Sequence, residues 1–313
     1  MPTYTLNFGQ NREVGIYNGF EIPATGGGGG SLLLDVYPDA AVAYSLRKLS
    51  STYTGNIIKV RRSSDNTEQE FGFVDGALDT GSLSTFVGAG SGYVTVWYDQ
   101  SGNNHHLTMP AVSQSYQPRI VNTGTLVTLN GKPAVSDATS GAVGLTTRFL
   151  QPSASIFPAD PISIFAVLKN NSTTTTPAYS LEGSGVNYYF YATKLGSTAK
   201  TVSTAQTFSQ RFAQYYRVNG APETTLNDFA NATVNDSALA IANQALVNIV
   251  GDEQDAATGD ITDYFSFLSF GTRGFPYTNR VMNQTQEFIV WGDQTNNSSS
   301  IETSINDYYS IYP

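Results

Sequence analysis

Ile162-Ser163-Ile164-Phe165-Ala166-Val167-Leu168 decides how this sequence folds, because a run of strand length rich in β-branched and aromatic residues has no helical face to offer. The same texture recurs outward in both directions. Towards the N-terminus it appears in Tyr93-Val94-Thr95-Val96-Trp97-Tyr98 and in Thr125-Leu126-Val127-Thr128-Leu129, the latter closed by the turn pair Asn130-Gly131. Towards the C-terminus it appears in Tyr188-Tyr189-Phe190-Tyr191, Leu246-Val247-Asn248-Ile249-Val250, Tyr264 to Phe270 and Phe288-Ile289-Val290-Trp291. Seven such runs with no long helix between them predict an all-β chain with a few short helices, arranged as a sandwich.

Three helices are expected beside the strands. Val42, Leu46, Leu49 and Tyr53 follow at steps of four, three and four after Pro38-Asp39, which predicts a helix capped by Asp39 and closed by Gly55. A second is expected from Asp79 to about Val87, with Leu83 and Phe86 inward and Gly88 as its stop. The third begins in Ser298-Ser299-Ser300-Ile301-Glu302 and turns Ile301, Ile305 and Tyr308 to one side.

Residues 1–25 alternate weakly and end in five glycines, Gly26 to Gly30, so the chain divides into an arm with its linker, 1–30, and a body, 31–313. A short apolar arm cannot bury its own face. Tyr4, Leu6, Phe8, Val14 and Ile16 are therefore expected to dock on a partner protein, with pairing to the body or a frayed end as alternatives.

The balance of 16 basic against 25 acidic residues, net −9, repels phosphate backbones and anionic membranes alike, so neither nucleic acid nor membrane is an expected partner. The absence of cysteine excludes disulfides and thiolate chemistry, and two histidines, adjacent at His105 and His106, exclude a multi-histidine metal centre. No cofactor is expected, and calcium in a loop is left open. No basic-then-apolar leader opens the sequence, so synthesis in a cytoplasm without secretory routing is expected.

Polar residues cluster most densely in Trp97-Tyr98-Asp99-Gln100-Ser101-Gly102-Asn103-Asn104-His105-His106. Asp99, Asn103 and His105 can bind a sugar or a hard cation there, or Asp99 can close an Asx turn at a strand end. Val60-Arg61-Arg62-Ser63-Ser64-Asp65-Asn66-Thr67-Glu68 reads as a hairpin with internal ion pairs, or as a carboxylate clamp. Tyr188, Tyr189 and Tyr191, with Tyr215 and Tyr216, can stack on sugar faces. Glycoside hydrolysis needs two facing carboxylates, for which Glu182, Asp252, Glu253 and Asp255 are available.

Ala43-Tyr44-Ser45-Leu46-Arg47-Lys48-Leu49, Tyr53-Thr54-Gly55, Val60 to Asn66, Leu78-Asp79-Thr80 and above all Tyr98-Asp99-Gln100-Ser101-Gly102-Asn103 resemble the N-terminal half of the arabinofuranosidase B catalytic domain. That resemblance implies a concanavalin-like jelly-roll sandwich. It places the family's nucleophilic Glu near Tyr188 to Phe190 and its acid Asp near Gly271-Thr272-Arg273, where this sequence has no carboxylate. The same segments, with the ending Ile301 to Tyr309, are similar to laminin-G-like or concanavalin-like proteins of tailed bacteriophages.

The leading expectation is accordingly a non-enzymatic bacteriophage virion protein of capsid decoration, head fibre or tail fibre type. It would be made in the host cytoplasm and sit on the virion surface, holding capsid or tail proteins through the arm. The body would bind host-surface glycans through Asp99, Asn103, His105, Tyr188 and Tyr189, in a homo-oligomer taken to be a trimer. Two alternatives stand: an arabinofuranosidase-type glycoside hydrolase with carboxylates relocated to Glu182 and Asp252 or Asp255, and a free carbohydrate-binding module.

Overall fold

The computed structural model describes residues 5–7, 13–17, 20–22, 31–108, 117–136, 146–148, 162–169, 179–183, 189–195, 200–201, 213–222, 224–225, 244–251, 265–270 and 284–313. Its architecture is an all-β sandwich with a few short helices, as expected. A six-stranded antiparallel sheet runs in the order Thr224–Thr225, Ala213–Val218, Ala245–Gly251, Ile162–Lys169, Gln284–Trp291, Val42–Ser45. An eleven-stranded sheet lies against it. Its path crosses Gly92–Trp97, Leu107–Thr108, Thr146–Arg148, Phe265–Phe270, Tyr179–Gly183 and Tyr189–Leu195, and Ile58–Arg62 with Glu68–Phe71 flank Gly92–Trp97.

Val42–Ser45, Ile162–Lys169 and Gln284–Trp291 in the six-stranded sheet are buried on both faces, which explains the near-continuous apolar runs. Ile164, Ala166, Leu168, Phe288 and Val290 enter the cluster between the sheets, with Trp97 and Val60 opposite. The alternate residues Phe165, Val167, Ile289 and Trp291 enter a second cluster. Helix α1, Leu33–Val36, and the last helix, α3, Ser298–Tyr309, close that second cluster with Leu33, Leu34, Ile301, Ile305 and Tyr309. Ile301, Ile305 and Tyr309 stand four residues apart, so one face of α3 is apolar.

Local signals hold where the backbone demands them. Between α1 and α3, helix α2 spans Thr80–Val87, with the Asp79 carboxylate accepting from the Ser82 N–H at 2.9 Å and Gly88 at φ 62° ending it. Leu83 and Val87 are buried, while Phe86 packs only partly against the core. Asn130 and Gly131, at φ 50° and 74°, form the turn between Thr128–Leu129 and Lys132–Pro133. Asn130 Nδ2 then reaches the carbonyls of Tyr309 and Ser310 at 3.0 and 3.1 Å, tying this turn to the end of α3.

The helix expected after Pro38 is instead the strand Val42–Ser45. All of 40–46 is buried, with Val42 and Tyr44 facing one cluster and Ala43 the other. A strand sandwiched on both sides is apolar throughout, and its helical spacing is incidental. Asp39 sits at φ 61°, outside the geometry of a helix cap.

In the arm, Thr5–Asn7, Glu13–Tyr17 and Phe20–Ile22 pair with one another as a three-stranded antiparallel sheet of their own. Leu6, Val14 and Ile16 lie on those strands; Tyr4, Phe8 and the glycines Gly26 to Gly30 fall outside the described residues. No helix among the described residues is long and apolar enough to cross a membrane.

A buried ion pair, Arg47–Glu287, meets α3 through the Tyr309 hydroxyl, and Arg217–Glu302, at 3.1 Å, joins the six-stranded sheet to α3 directly. Arg47 Nε and Nη2 each donate to Glu287 at 2.8 Å, Ser45 Oγ donates to the same carboxylate at 2.6 Å, and Tyr309 OH does so at 3.2 Å. Tyr308 lies between two cations, 4.8 Å from the Arg47 guanidinium and 4.2 Å from Lys132 Nζ. Burial works against the charge on Arg47, but Glu287 outweighs it and holds the guanidinium above its ordinary value. Because removal of one partner strands the other charge in the core, Arg47→Met is expected to cost ~3–5 kcal/mol of unfolding free energy, read by urea denaturation. A loss below about 1 kcal/mol would show that the pair is not needed to hold α3 on the sheet.

Candidate functional site

Register, more than sequence, assembles the candidate site. In the eleven-stranded sheet Trp97 and Leu107 are paired and fully buried, so they face the core. Their neighbours Tyr98, His106 and the exposed Thr108 occupy the opposite, solvent-facing side. The pairing runs on from Thr108 to Thr146, from Thr146 to Ser269 and from Ser269 to Ser180. Two residues along, Arg148 stands opposite Phe267, Phe267 opposite Glu182, and Glu182 opposite Tyr189. Continued to Tyr98 and His106, backbone register makes one transverse row of positions: Tyr98, His106, Arg148, Phe267, Glu182, Tyr189.

At the Tyr98 end the side-chain geometry is explicit. The Tyr98 hydroxyl donates to Glu70 Oε1 at 2.7 Å, Asn56 Nδ2 donates to Glu70 Oε2 at 2.6 Å, and Lys59 Nζ lies 3.7 and 3.9 Å from Glu68 and Glu70. The Tyr98 ring meets His106 edge to face at 4.8 Å. Partial burial, then the bond to Glu70, raises the Tyr98 phenol above its ordinary range.

Asp99, Asn103 and His105 are brought together in the loop after Gly92–Trp97, and their polar atoms are engaged within the chain. The Asp99 carboxylate, 1% exposed, accepts from the N–H groups of Ala43, Ser101 and His105 at 2.8, 2.9 and 3.1 Å and from Ser101 Oγ at 2.7 Å. Asn103 Nδ2 donates to the carbonyls of Ala40 and Ala41, both at 3.0 Å. Gln100 N–H donates to the Ala43 carbonyl, its Oε1 accepts from Leu49 N–H, and its Nε2 donates to the carbonyls of Ser45 and Arg47. The Tyr-Asp-Gln-Ser-Gly-Asn string is thus a brace joining the two sheets.

Tyr189 lies in the row opposite Glu182, whereas Tyr188 falls outside the described residues. Tyr215 and Tyr216 sit on Ala213–Val218 in the other sheet, apart from Tyr189 and Tyr191. Asp252, Glu253, Asp255 and the segment 271–273 also lie outside the described residues. The Arg61–Glu68 stretch forms the hairpin Ile58–Arg62 and Glu68–Phe71, with Arg62 bidentate to Asp65 at 2.8 and 2.7 Å and Arg61 bonded to Asn66 and Gln117. Among the described residues no three His, Cys, Asp or Glu side chains form a metal-binding group. The face residues Tyr98, His106, Lys59 and Glu70 were not singled out by sequence; the alternation of buried Trp97 with Tyr98 was the available signal.

The family described as Alpha-L-arabinofuranosidase B, catalytic, matches residues 35–178, just under half of the chain. A probable α-L-arabinofuranosidase B of Aspergillus flavus and the α-L-arabinofuranosidase B of Aspergillus oryzae are each 32% identical over 106 residues, 31% of this chain and 21% of theirs. The chain thus matches about a fifth of the length of these curated relatives. Among solved structures, an arabinofuranosidase complexed with arabinofuranosyl-α-1,2-xylobiose aligns with a TM-score of 0.56 at 18% identity, over 87% of this chain and 64% of that one. A GH54 α-L-arabinofuranosidase soaked with a cyclic sulfate inhibitor gives 0.56 at 16% identity, over 90% and 65%. These structures share the fold.

The matches overturn the expectation of a non-enzymatic virion protein. Family model, relatives and structural neighbours all lead to glycoside hydrolases, and the relatives belong to Aspergillus, so the phage resemblance and the virion-surface location fall with it. The resemblance at 43–107 reported sandwich construction, which both kinds of protein share, and therefore could not choose between them.

Two outcomes test the brace. Asp99→Ala leaves the Ala43, Ser101 and His105 N–H groups without their acceptor and should lower stability by about 2–4 kcal/mol in urea unfolding; an unchanged midpoint would remove Asp99 from the structural core. His106 Nδ1 accepts the Asp99 N–H at 3.1 Å, and desolvation, against the pull of the Asp99 carboxylate, holds its pKa below the usual 6.5. Its neutral form is favoured by folding, so its contribution is present above pH 6.5 and is lost as pH falls through the lower folded value. An NMR titration should find the His106 midpoint below 6.5, and a midpoint above it would reverse the sign.

Proposed function

We propose that this chain is a glycoside hydrolase acting on α-L-arabinofuranosides. The observation that carries the reading is the match of residues 35–178 to the arabinofuranosidase B catalytic family, which spans the brace and the Tyr98, His106 and Arg148 positions of the row. Sheet register adds a carboxylate at the right kind of place. Glu182 stands mid-row with aromatic residues opposite it on both neighbouring strands, Phe267 and Tyr189.

Cleavage of a glycosidic bond needs one carboxylic acid to protonate the leaving oxygen and one carboxylate to attack the anomeric carbon or activate water. Glu182 supplies one of these. Its partner comes from the acidic run Asp252, Glu253 and Asp255, which follows Ala245–Gly251 in sequence and leads into Phe265–Phe270, the strand paired with Tyr179–Gly183. Aromatic neighbours suit the charge that develops on the sugar ring in the transition state.

Purified protein should release 4-nitrophenol from 4-nitrophenyl α-L-arabinofuranoside, and Glu182→Gln should lower kcat by roughly 10²–10⁴-fold while leaving the near-ultraviolet circular dichroism unchanged. A folded protein without turnover rejects the reading; full turnover in Glu182→Gln takes the role away from that residue.

A further inference from the structure

We infer that Asn130 is a site of spontaneous hydrolytic deamidation, and that conversion of its amide to a carboxylate releases the chain end that follows α3. The inference stands apart from the hydrolase reading and needs no activity to test it.

The chemistry is intramolecular. Asn130 and Gly131 are both exposed at the tip of the hairpin formed by Thr128–Leu129 and Lys132–Pro133, and Leu129 pairs directly with Lys132, so the Gly131 N–H lies outside the strand pairing. Glycine has no Cβ to crowd the approach of that nitrogen to the side chain before it. Hydroxide takes the Gly131 amide proton, and the nitrogen attacks Asn130 Cγ. The new C–N bond closes a cyclic imide, while Nδ2 takes up a proton and leaves as ammonia. Water then opens the ring at either carbonyl. One amide and one water thus become one ammonia and one carboxylic acid, on an aspartyl or an isoaspartyl residue.

What Asn130 holds makes the conversion consequential. Its Nδ2 donates to the carbonyls of Tyr309 and Ser310 at 3.0 and 3.1 Å, and two carbonyl acceptors demand the NH2 end of the amide. Those carbonyls belong to the last residue of α3 and to its cap, Ser310 at φ 53°, a left-handed conformation that a residue with a side chain adopts at a steric cost. Asn306 holds the same segment from within α3. Its Oδ1 accepts the Ile311 and Tyr312 N–H groups at 2.8 and 3.1 Å, and its Nδ2 donates to the Tyr312 carbonyl at 2.9 Å. A carboxylate at 130 has no proton to donate, so it removes one of the two holds and sets oxygen against oxygen.

Asn219-Gly220 supplies an internal comparison. It is another left-handed Asn-Gly pair, at φ 54° and 68°, and it too meets this segment, because a Cβ on Gly220 would stand 2.9 Å from the Tyr312 ring. Asn219, however, uses its side-chain oxygen, which accepts the Leu246 N–H at 2.9 Å, while its own N–H donates to the Leu246 carbonyl at 2.9 Å. A carboxylate accepts that bond equally well, so the same conversion at 219 leaves the segment in place. Asn219 is also less exposed than Asn130 and is tied at both main chain and side chain, which hinders ring closure.

The full chain is aged in mildly alkaline heavy-oxygen water and mapped by peptide mass spectrometry. Heavy oxygen should accumulate in a carboxyl at 130 faster than at 219; accumulation at 130 that is equal or slower overturns the site. Hydrogen exchange reads the consequence. In Asn130→Asp the amides of Ile311 and Tyr312 should exchange about tenfold faster than in the unmodified chain, the effect of losing one or two neutral hydrogen bonds, and Asn219→Asp should leave them unchanged. The aged wild-type protein gives the same readout without a substitution. Unchanged exchange in both Asn130→Asp and the aged protein, or equal acceleration in Asn130→Asp and Asn219→Asp, overturns the release.

Discussion

The end strand of the six-stranded sheet, Val42–Ser45, pairs on one side only, and the rest of the molecule depends on how its other side is finished. A strand buried on both faces cannot leave its N–H and C=O groups to water. Asp99 and Gln100 take the place of a missing neighbour. The Asp99 carboxylate receives the Ala43 N–H, the Gln100 N–H meets the Ala43 carbonyl, and the Gln100 amide reaches Ser45 and Arg47. This pairing explains why the most specific string in the sequence is structural. It also fixes the path of the chain just beyond Trp97, which puts Tyr98 and His106 at one end of the transverse row.

Around that edge the core is built in two storeys. One lies between the sheets and the other between the six-stranded sheet and α3, and the Arg47–Glu287 pair sits where Val42–Ser45, Gln284–Trp291 and α3 meet. The ion pair is no simple source of stability, since both charges have left water. Three of its four hydrogen bonds join Ser45 and Arg47 to Glu287, and the fourth, from the Tyr309 hydroxyl, gives α3 a directional anchor that Ile301 and Ile305, whose packing is directionless, cannot supply.

Much of the fold was legible in the sequence because the signals were local. Asn130-Gly131, the Asp79 cap with Gly88, and the four-residue spacing of Ile301 and Ile305 each report a backbone requirement met by the residues themselves. Val42, Leu46, Leu49 and Tyr53 misled, because a strand covered on both faces loses the alternation that marks a strand, and what is left can imitate a helix. The candidate site was less legible for a different reason. Period-two alternation says that Trp97 and Tyr98 face opposite ways, but only strand order brings Tyr98 into line with Glu182, eighty-four positions along the chain. Likewise, nothing in the sequence showed that Glu182 and Tyr189 stand opposite one another.

The two tryptophans of this chain occupy different storeys: Trp97 is fully buried between the sheets, and Trp291 is fully buried beneath the helices, against Phe165 at 5.5 Å. Intrinsic fluorescence is therefore already addressed by layer. With one indole silenced, the emission of the other becomes a private spectroscopic record of its own half of the core, and the melting of the two halves can be followed separately without attaching any dye.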